Sequence, residues 1–577
     1  MLRPASLRLW RWIVPVTAIA LYCGLSLYLT GTLAPWAKRD ASRAWRDGVA
    51  RTAPTPALAA LRKNLTQLAS RTNVAPVDAE DLAAATAFYD ALSGPLLWVT
   101  ESGISERGNL VMTEIRKADD WGLRARDFAL PQLPAGTIAP AAAAAAELEL
   151  TLAVLKYARY ARGGRFSDPS SLSKLLDYTP PVRRPKEVLD DIAATDAPDA
   201  YLRSLHPQHE QFQALRRVLL KLRGRGTVDG KLAYGEKLRM ALPQLVNSET
   251  PGADATSVEP GREGEDRTVR LARILINMER WRWLPADLGE FYVWNNVPEF
   301  LTRVVKKGET IHIDRVVAGQ PDWATPAFSA DMKVIVFNPS WGVPDGIKRK
   351  ELLPLLRNSS RGDLVSLFTG AQSSRAVLEQ QKLQTFYQGR QIDPNQVDWS
   401  IANIGAYEFR QPPGPTNVLG AIKFMFPNKH DVYMHDTPER DLFARTFRGL
   451  SHGCMRVADP RRLATVLLAQ DKGWSEQQVE SQLSGGTRDV ELTTRIPVHM
   501  TYFAATVDRQ GNLHTFGDLY GLDARMGASL FGGKVAFVTP RYDDEIRAMR
   551  ARHGPADPSG ASNLSTLADA ISNIFSP

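Results

Sequence analysis

Cysteine is nearly absent, with only Cys23 and Cys454 in a chain of 577 residues. A disulfide framework and a C-x-x-C zinc or redox pair are thereby excluded. No H-E-x-x-H pair is present either, so the common zinc-hydrolase pattern is missing. The net charge is +8 and the sequence pI about 9.3, but the basic residues are dispersed and no aromatic-basic motif accompanies them. That dispersal argues against nucleic acid as a partner and leaves an anionic polymer compatible. With 44% hydrophobic and 23% charged residues, the chain has the composition of a folded protein with room for several domains.

Charge is also absent from one long stretch. Between Arg11 and Lys38 no Asp, Glu, Lys or Arg occurs, and residues 12–29 read WIVPVTAIALYCGLSLYL, about the length of a bilayer core. A membrane span is expected at 12–33. Arg3, Arg8 and Arg11 place residues 1–11 in the cytoplasm and the bulk of the chain on the periplasmic or outer side. Cleavage as a signal peptide is the competing reading, and Pro35 directly after the only small-residue site, 32–34, disfavours it. Tyr22 before Cys23 disfavours lipoprotein processing. The membrane would separate the two cysteines, so Cys454 is expected to be a free thiol in an oxidising compartment.

The rest of the chain divides by texture. Helix-favouring stretches at 41–51, 79–92, 109–121, 141–162 and 209–223 are broken by Pro and Gly, which gives a helical domain over 38–246. The alanine run 139–146 after Pro140 reads as a helix start. Residues 247–266, NSETPGADATSVEPGREGED, read as a linker. Beyond it, β-branched and aromatic runs at 291–294, 311–317, 333–337, 431–434, 496–507 and 534–538 predict a β-rich domain over 267–545. Helical stretches at 348–356 and 376–385 interrupt it and suggest an inserted subdomain over 345–400. Residues 546–577 form a tail, and the fold class is α+β.

The segment 433–457, YMHDTPERDLFARTFRGLSHGCMRV, concentrates the chemistry, with His435 19 residues before Cys454 and Ser451-His452-Gly453 abutting the thiol. An imidazole within reach of a thiol lowers its pKa and forms a thiolate-imidazolium pair. Gly453 permits close approach of a substrate, and neighbouring backbone N–H groups there could hold an oxyanion. Taken singly, Cys454 could equally be a small buried apolar residue. Zinc ligation by His430, His435, His452 and Cys454 is a third reading, weakened by the missing paired spacing.

This segment resembles the L,D-transpeptidase signature, a histidine followed at a distance by S-H-G-C-x-R. The flanking stretches NPSWGVP (338–344), LLPLLRN (352–358), QVDWS (396–400), FRQPPGPTNVLGAIKFMFPN (409–428) and IPVHMTYFAATVDRQG (496–511) resemble the large periplasmic branch of that family, closely over about 270–525. Weaker similarity to its helical scaffold lies in FYDALSGPLLWV (88–99) and LHPQHEQFQALRRVLLKLR (205–223). The resemblance implies an inner-membrane, single-pass enzyme with its catalytic domain in the periplasm, acting on peptidoglycan stem peptides without metal or organic cofactor. It implies Cys454 as nucleophile, His435 as general base, Gly453 and the Cys454 amide at an oxyanion hole, Arg456 shaping the site, Ser451 and His452 in support, and the insertion as a lid. Some branch members carry a small residue at position 452, so His452 is expected to be helpful rather than indispensable. For Asp436, a turn residue and an orienter of His435 are equal readings. A peptidoglycan-binding module found in many relatives is expected to be absent or degenerate between about 225 and 268. An L,D-carboxypeptidase, a lipoprotein-attaching enzyme and a catalytically idle wall-binding scaffold remain alternatives.

Overall fold

The computed structural model describes residues 54–70, 75–134, 136–224, 238, 267–359 and 373–532. The expected cytoplasmic tail 1–11, membrane span 12–33, helix 41–51, linker 247–266, strand 534–538 and tail 546–577 lie outside the described residues. Among the described residues no helix is long and apolar enough to cross a membrane.

Two compact units are present. The first, within 54–163 and 182–206, is helical: α1 (Pro56–Ala69), α2 (Pro76–Ala91), a two-residue hairpin of β1 (Val99–Thr100) and β2 (Gly103–Ile104), α3 (Glu106–Arg116), α4 (Pro140–Gly163), α5 (Pro185–Ala194) and α6 (Pro198–Ser204). Proline opens five of these helices, where its missing N–H costs nothing. The alanine-rich start of α4 brings Glu147 into the core. There its carboxylate accepts the N–H groups of Leu97, Trp98 and Val99 and the Tyr89 hydroxyl, at 2.7 to 3.1 Å. Burial raises the Glu147 pKa to about 7 against these four donors.

The expected helical domain, 38–246, is shared between the two units. Residues 164–181 and helix α7 (Glu210–Gly224) belong to the second unit. Helix α7 buries Phe212, Leu215 and Leu219, and Gln211 exchanges hydrogen bonds with the backbone of Val507 at 2.7 and 2.9 Å.

The second unit adds helix α8 (Arg267–Trp281) and a β-sheet whose strands close on themselves. The circuit runs β5 (Glu309–Gly319), β14 (Met455–Val457), β12 (Met434–His435), β11 (Ile422–Met425), β6 (Phe328–Phe337), β15 (Arg488–Thr501), β3 (Phe291–Asn296) and β4 (Leu301–Lys306). The pairing of β4 back onto β5 completes it, and β13 (Gly449–Ser451) pairs in parallel with the end of β5, at Ala318 and Gly319. Helices α10 (Pro460–Lys472) and α11 (Glu476–Gln482) precede β15. After it, a hairpin of β16 (Ala505–Val507) and β17 (Leu513–Thr515) leads to helix α12 (Leu522–Phe531).

The interruption expected at 345–400 lies within a stretch, 341–411, whose described residues carry a separate four-stranded sheet and apolar core. Strands β7 (Trp341–Gly342), β8 (Gln384–Tyr387), β9 (Arg390–Gln391) and β10 (Tyr407–Gln411) pair in the order β7, β10, β8, β9. Trp341, Leu352, Leu356, Leu378, Trp399 and Phe409 are part of its separate apolar core. Helical turns Asp345–Ile347, Lys348–Leu352 and Leu353–Arg357 follow one another, with helix α9 (Ser374–Gln380) after them. The second predicted helix, 376–385, is cut short because its last residues enter β8.

Candidate active site

The sheet register assembles the site. Strand β12 pairs in parallel with β14, Met434 beside Met455 and His435 beside Arg456, and pairs antiparallel with β11, Lys423 beside His435. The Met455 N–H donates to the Tyr433 carbonyl at 3.0 Å, so the pairing runs one residue further and sets Cys454 beside Tyr433. In-register neighbours and residues two apart share a face of a sheet. Lys423, Tyr433, His435, Cys454 and Arg456 therefore stand on one side of three adjacent strands. The predicted strand 431–434 falls short of this arrangement. Asp431 adopts φ 54°, and the Asn428 side chain donates to the carbonyls of Phe426 and Val432, both at 2.7 Å, which holds the preceding residues as a loop.

Cys454 is a free, half-buried thiol whose Sγ points at the Asp431 carbonyl at 3.9 Å. Crowding by protein raises its pKa. The Tyr433 N–H and hydroxyl, the Lys423 ammonium and the Arg456 guanidinium oppose that rise. Lys423 Nζ lies 3.8 Å from the centre of the Tyr433 ring, and burial lowers its pKa.

His435 is buried, and its Nδ1 donates to the carbonyl of Asp436. A carbonyl only accepts, so Nδ1 carries the proton and Nε2 has the free lone pair. Burial pushes the imidazole pKa down to about 3; Arg456 and Lys423 add to the fall, and the Asp436 carbonyl resists it. These shifts favour a neutral imidazole over the expected thiolate-imidazolium pair. His435 is held neutral, because an imidazolium would be buried beside two cations. Among the described contacts no hydrogen bond joins it to Cys454, and such bonds often tighten only when substrate is present.

The remaining predicted residues organise the loop. Ser451 Oγ donates to the Cys454 carbonyl at 2.6 Å and accepts the Gly453 N–H at 3.2 Å. The Gly453 amide is therefore engaged, and what Gly453 supplies is its left-handed backbone, φ 105°. Arg456 is buried against Glu439. Asp436 uses its backbone carbonyl on His435, while its carboxylate accepts from Ala421 and Thr437 N–H at 2.8 and 2.7 Å and pairs with Arg440 at 2.8 Å. Gly420 leaves room for that carboxylate, since a Cβ there would lie 2.3 Å from the Asp436 Cγ.

His452 is engaged by the insertion. Its Nε2 lies 3.0 Å from Glu351 of the insertion, and its ring is 5.2 Å from that of Trp323, over which Lys350 sits at 4.2 Å. His430 is paired with Asp177 at 2.8 Å, and Lys429 joins the same carboxylate at 2.7 Å. The four residues of the zinc reading are thus directed to separate partners, and among the described residues no three His, Cys, Asp or Glu converge.

Sequence reasoning missed Lys423, Tyr433 and Glu351. Tyr433 was visible at the period of two before His435, and Lys423 stands out as a cation between apolar Ile422 and Phe424 in a central strand. Glu351 carried no signal, because only folding brings the insertion to His452.

Residues 290–480 match the family model of the L,D-transpeptidase catalytic domain, and residues 83–219 match that of the Scaffold domain. A Haemophilus influenzae protein named "Putative L,D-transpeptidase" is 30% identical over 256 residues, 44% of this chain and 48% of that protein. The chain thus spans about half the length of the curated relative it matches.

Proposed function

Because the chain belongs to the L,D-transpeptidase family, in the branch that carries a scaffold domain, we propose that it cross-links peptidoglycan through a thioester on Cys454. The observation that carries this reading is the placement of Cys454 and His435 on one sheet face, with the imidazole held neutral and its Nδ1 proton fixed on a carbonyl. A neutral imidazole is a base waiting for a proton.

In the proposed reaction, Cys454 Sγ attacks the carbonyl between diaminopimelate and the terminal D-alanine of a tetrapeptide stem. The thiol proton passes to His435 Nε2 as the carbon-sulfur bond forms, and the carbonyl oxygen becomes an oxyanion facing the Cys454 N–H. When the intermediate collapses, the carbon-nitrogen bond breaks and His435 returns the proton to the departing D-alanine nitrogen. An amine of a second stem then attacks the thioester, giving its proton to His435, and the sulfur leaves as the restored thiol. Lys423, Arg456 and the Tyr433 hydroxyl lie where they favour negative charge on sulfur.

The insertion acts in this reading as a lid, latched to the nucleophile's loop by Glu351 on His452, and a lid that excludes water protects a thioester from hydrolysis. Residues 12–33 anchor the protein in the inner membrane, with residues 1–11 cytoplasmic and the catalytic domain periplasmic.

The test is mass analysis of purified stem-peptide fragments incubated with the protein. Release of D-alanine with a new bond to a second stem is the expected result. Release with water as acceptor would make it a carboxypeptidase, and no release by a folded protein would make it a wall-binding scaffold.

A further inference from the structure

The peptide unit joining Gly453 to Cys454 contains both the Gly453 carbonyl and the Cys454 N–H. A trans peptide is planar and its C=O and N–H point in opposite directions, so whatever fixes the carbonyl also fixes the direction of the N–H. The Gly453 carbonyl accepts a hydrogen bond from Thr325 Oγ1 at 2.8 Å, in a buried position. Thr325 Oγ1 itself accepts the Gly319 N–H at 2.9 Å, so its one proton is directed at Gly453. Among the described residues no acceptor takes the Cys454 N–H.

Thr325 is held in turn. Its N–H donates to the Tyr520 hydroxyl oxygen at 3.1 Å, and that hydroxyl donates to the Gly319 carbonyl at 2.6 Å. Tyr520 N–H donates to the Tyr502 hydroxyl at 2.8 Å, which donates to Asp518 at 2.7 Å. Asp518 also accepts the N–H groups of Asp523 and Ala524, at 2.9 and 3.1 Å, at the start of α12, and Asp523 is buried against Arg280. There is no slack at the centre. A Cβ on Gly319 would stand 2.1 Å from the Trp323 carbonyl oxygen, 2.8 Å from Thr325 N and 3.0 Å from Gly453 Cα.

We propose that Thr325 is the positioning residue that aims the Cys454 N–H at the oxyanion, and that Tyr520, beyond the matched catalytic region that ends at 480, holds Thr325 in place. The proposal rests on Cys454 being the nucleophile. Neither side chain touches the substrate. Each acts through the backbone on which the oxyanion donor sits.

Two reactions of the same thiol separate this role from a general one. Alkylation by iodoacetamide needs the sulfur and no oxyanion donor, whereas acylation by a carbapenem passes through a tetrahedral oxyanion. In the full chain, Thr325→Val keeps the shape and loses the hydroxyl; its acylation rate should fall ~10- to 100-fold, approaching the loss seen when an oxyanion donor is removed, with alkylation within twofold of the parent. Thr325→Ser should restore most of the acylation rate, and Tyr520→Phe should lose ~10-fold with alkylation again unchanged. A parallel fall of both reactions, or a fall of neither, overturns the proposal. Should Thr325→Val fail to fold, Tyr520→Phe decides by the same ratio. Failure of the underlying reading is distinguishable, because the carbapenem mass would then be found on the Cys454→Ala protein.

Discussion

Two turns of this molecule are held in the same way and end differently. In the helical unit, Glu147 gathers three consecutive N–H groups, those of Leu97, Trp98 and Val99, on one carboxylate. In the catalytic unit, Ser451 and Thr325 hold the Gly453 N–H and the Gly453 carbonyl, and the next N–H, that of Cys454, is left over. Buried backbone groups are nearly always paired, so a turn with every donor satisfied is structure, whereas a leftover donor beside the proposed nucleophile is a place for a developing charge.

Removing the sulfur is the sharpest way to break the comparison. Cys454→Ala should form no acyl-enzyme and Cys454→Ser almost none, since an un-ionised hydroxyl is a far poorer nucleophile. The melting temperature should stay near that of the parent; intact-mass spectrometry and thermal denaturation check the two halves. Turnover of either variant within tenfold of the parent would remove Cys454 from its role.

His435→Ala should slow acylation by roughly 10²- to 10⁴-fold, the usual loss for a general base. The pH profile sharpens the point. With the imidazole pKa pushed down to about 3, the base stays unprotonated as pH falls through 6.5, so the acylation rate should hold its plateau there and decline only in stronger acid. A half-maximal rate near pH 6.5 would show instead an ordinary, solvated histidine.

The helical turn should respond in the opposite currency, stability rather than rate. Glu147→Ala strands three N–H groups, at about 1–3 kcal/mol for each buried group left unpaired, while the Tyr89 hydroxyl keeps Thr151 at 2.7 Å and the acylation rate of protein that remains folded should be unchanged. The raised pKa also has a sign. The folded state holds the Glu147 proton more tightly than the unfolded chain, so this group's contribution to stability is fully present below about pH 4.5 and is lost as pH rises to about 7. Denaturant titrations of parent and Glu147→Gln across that window should differ by this slope, and parallel curves would refute it.

The smallest effect is expected at the contact between insertion and loop. Glu351→Gln or His452→Ala removes a half-buried pair, a loss of about 1 kcal/mol or less, and acylation should fall only a few-fold. The more telling readout is the product ratio, in which hydrolysed tripeptide should gain on cross-linked stem as water reaches the thioester. An unchanged ratio at matched acyl-enzyme formation would mean that the insertion does not shield it.

The broad division into a helical part and a β-rich part was legible because it follows from hydrophobic periodicity, which needs only neighbouring residues. Strand β15 was seen only from Ile496 onward, since its first half, Arg488 to Arg495, is largely exposed and polar. Cys454 and His435 were found through a motif, and their juxtaposition follows from two strands of two and three residues that carry almost no propensity signal. Thr325 and Tyr520 were illegible for a stronger reason. Their hydroxyls do their work through carbonyls and amides distant in sequence, and a backbone atom has no letter in a sequence.

The Tyr520 tie also has a meaning in the time of synthesis. The chain is made from its N-terminus, so Cys454 and His435 are both present well before residue 520 exists. Until then Thr325 lacks one of its two holds, and the donor it aims is free to swing. The thiol would be born with an incomplete partner for the oxyanion and would gain it only when residue 520 and the helix after it, α12, settle. A nascent chain would thus carry its nucleophile in safety, unable to acylate efficiently until nearly all of it has folded.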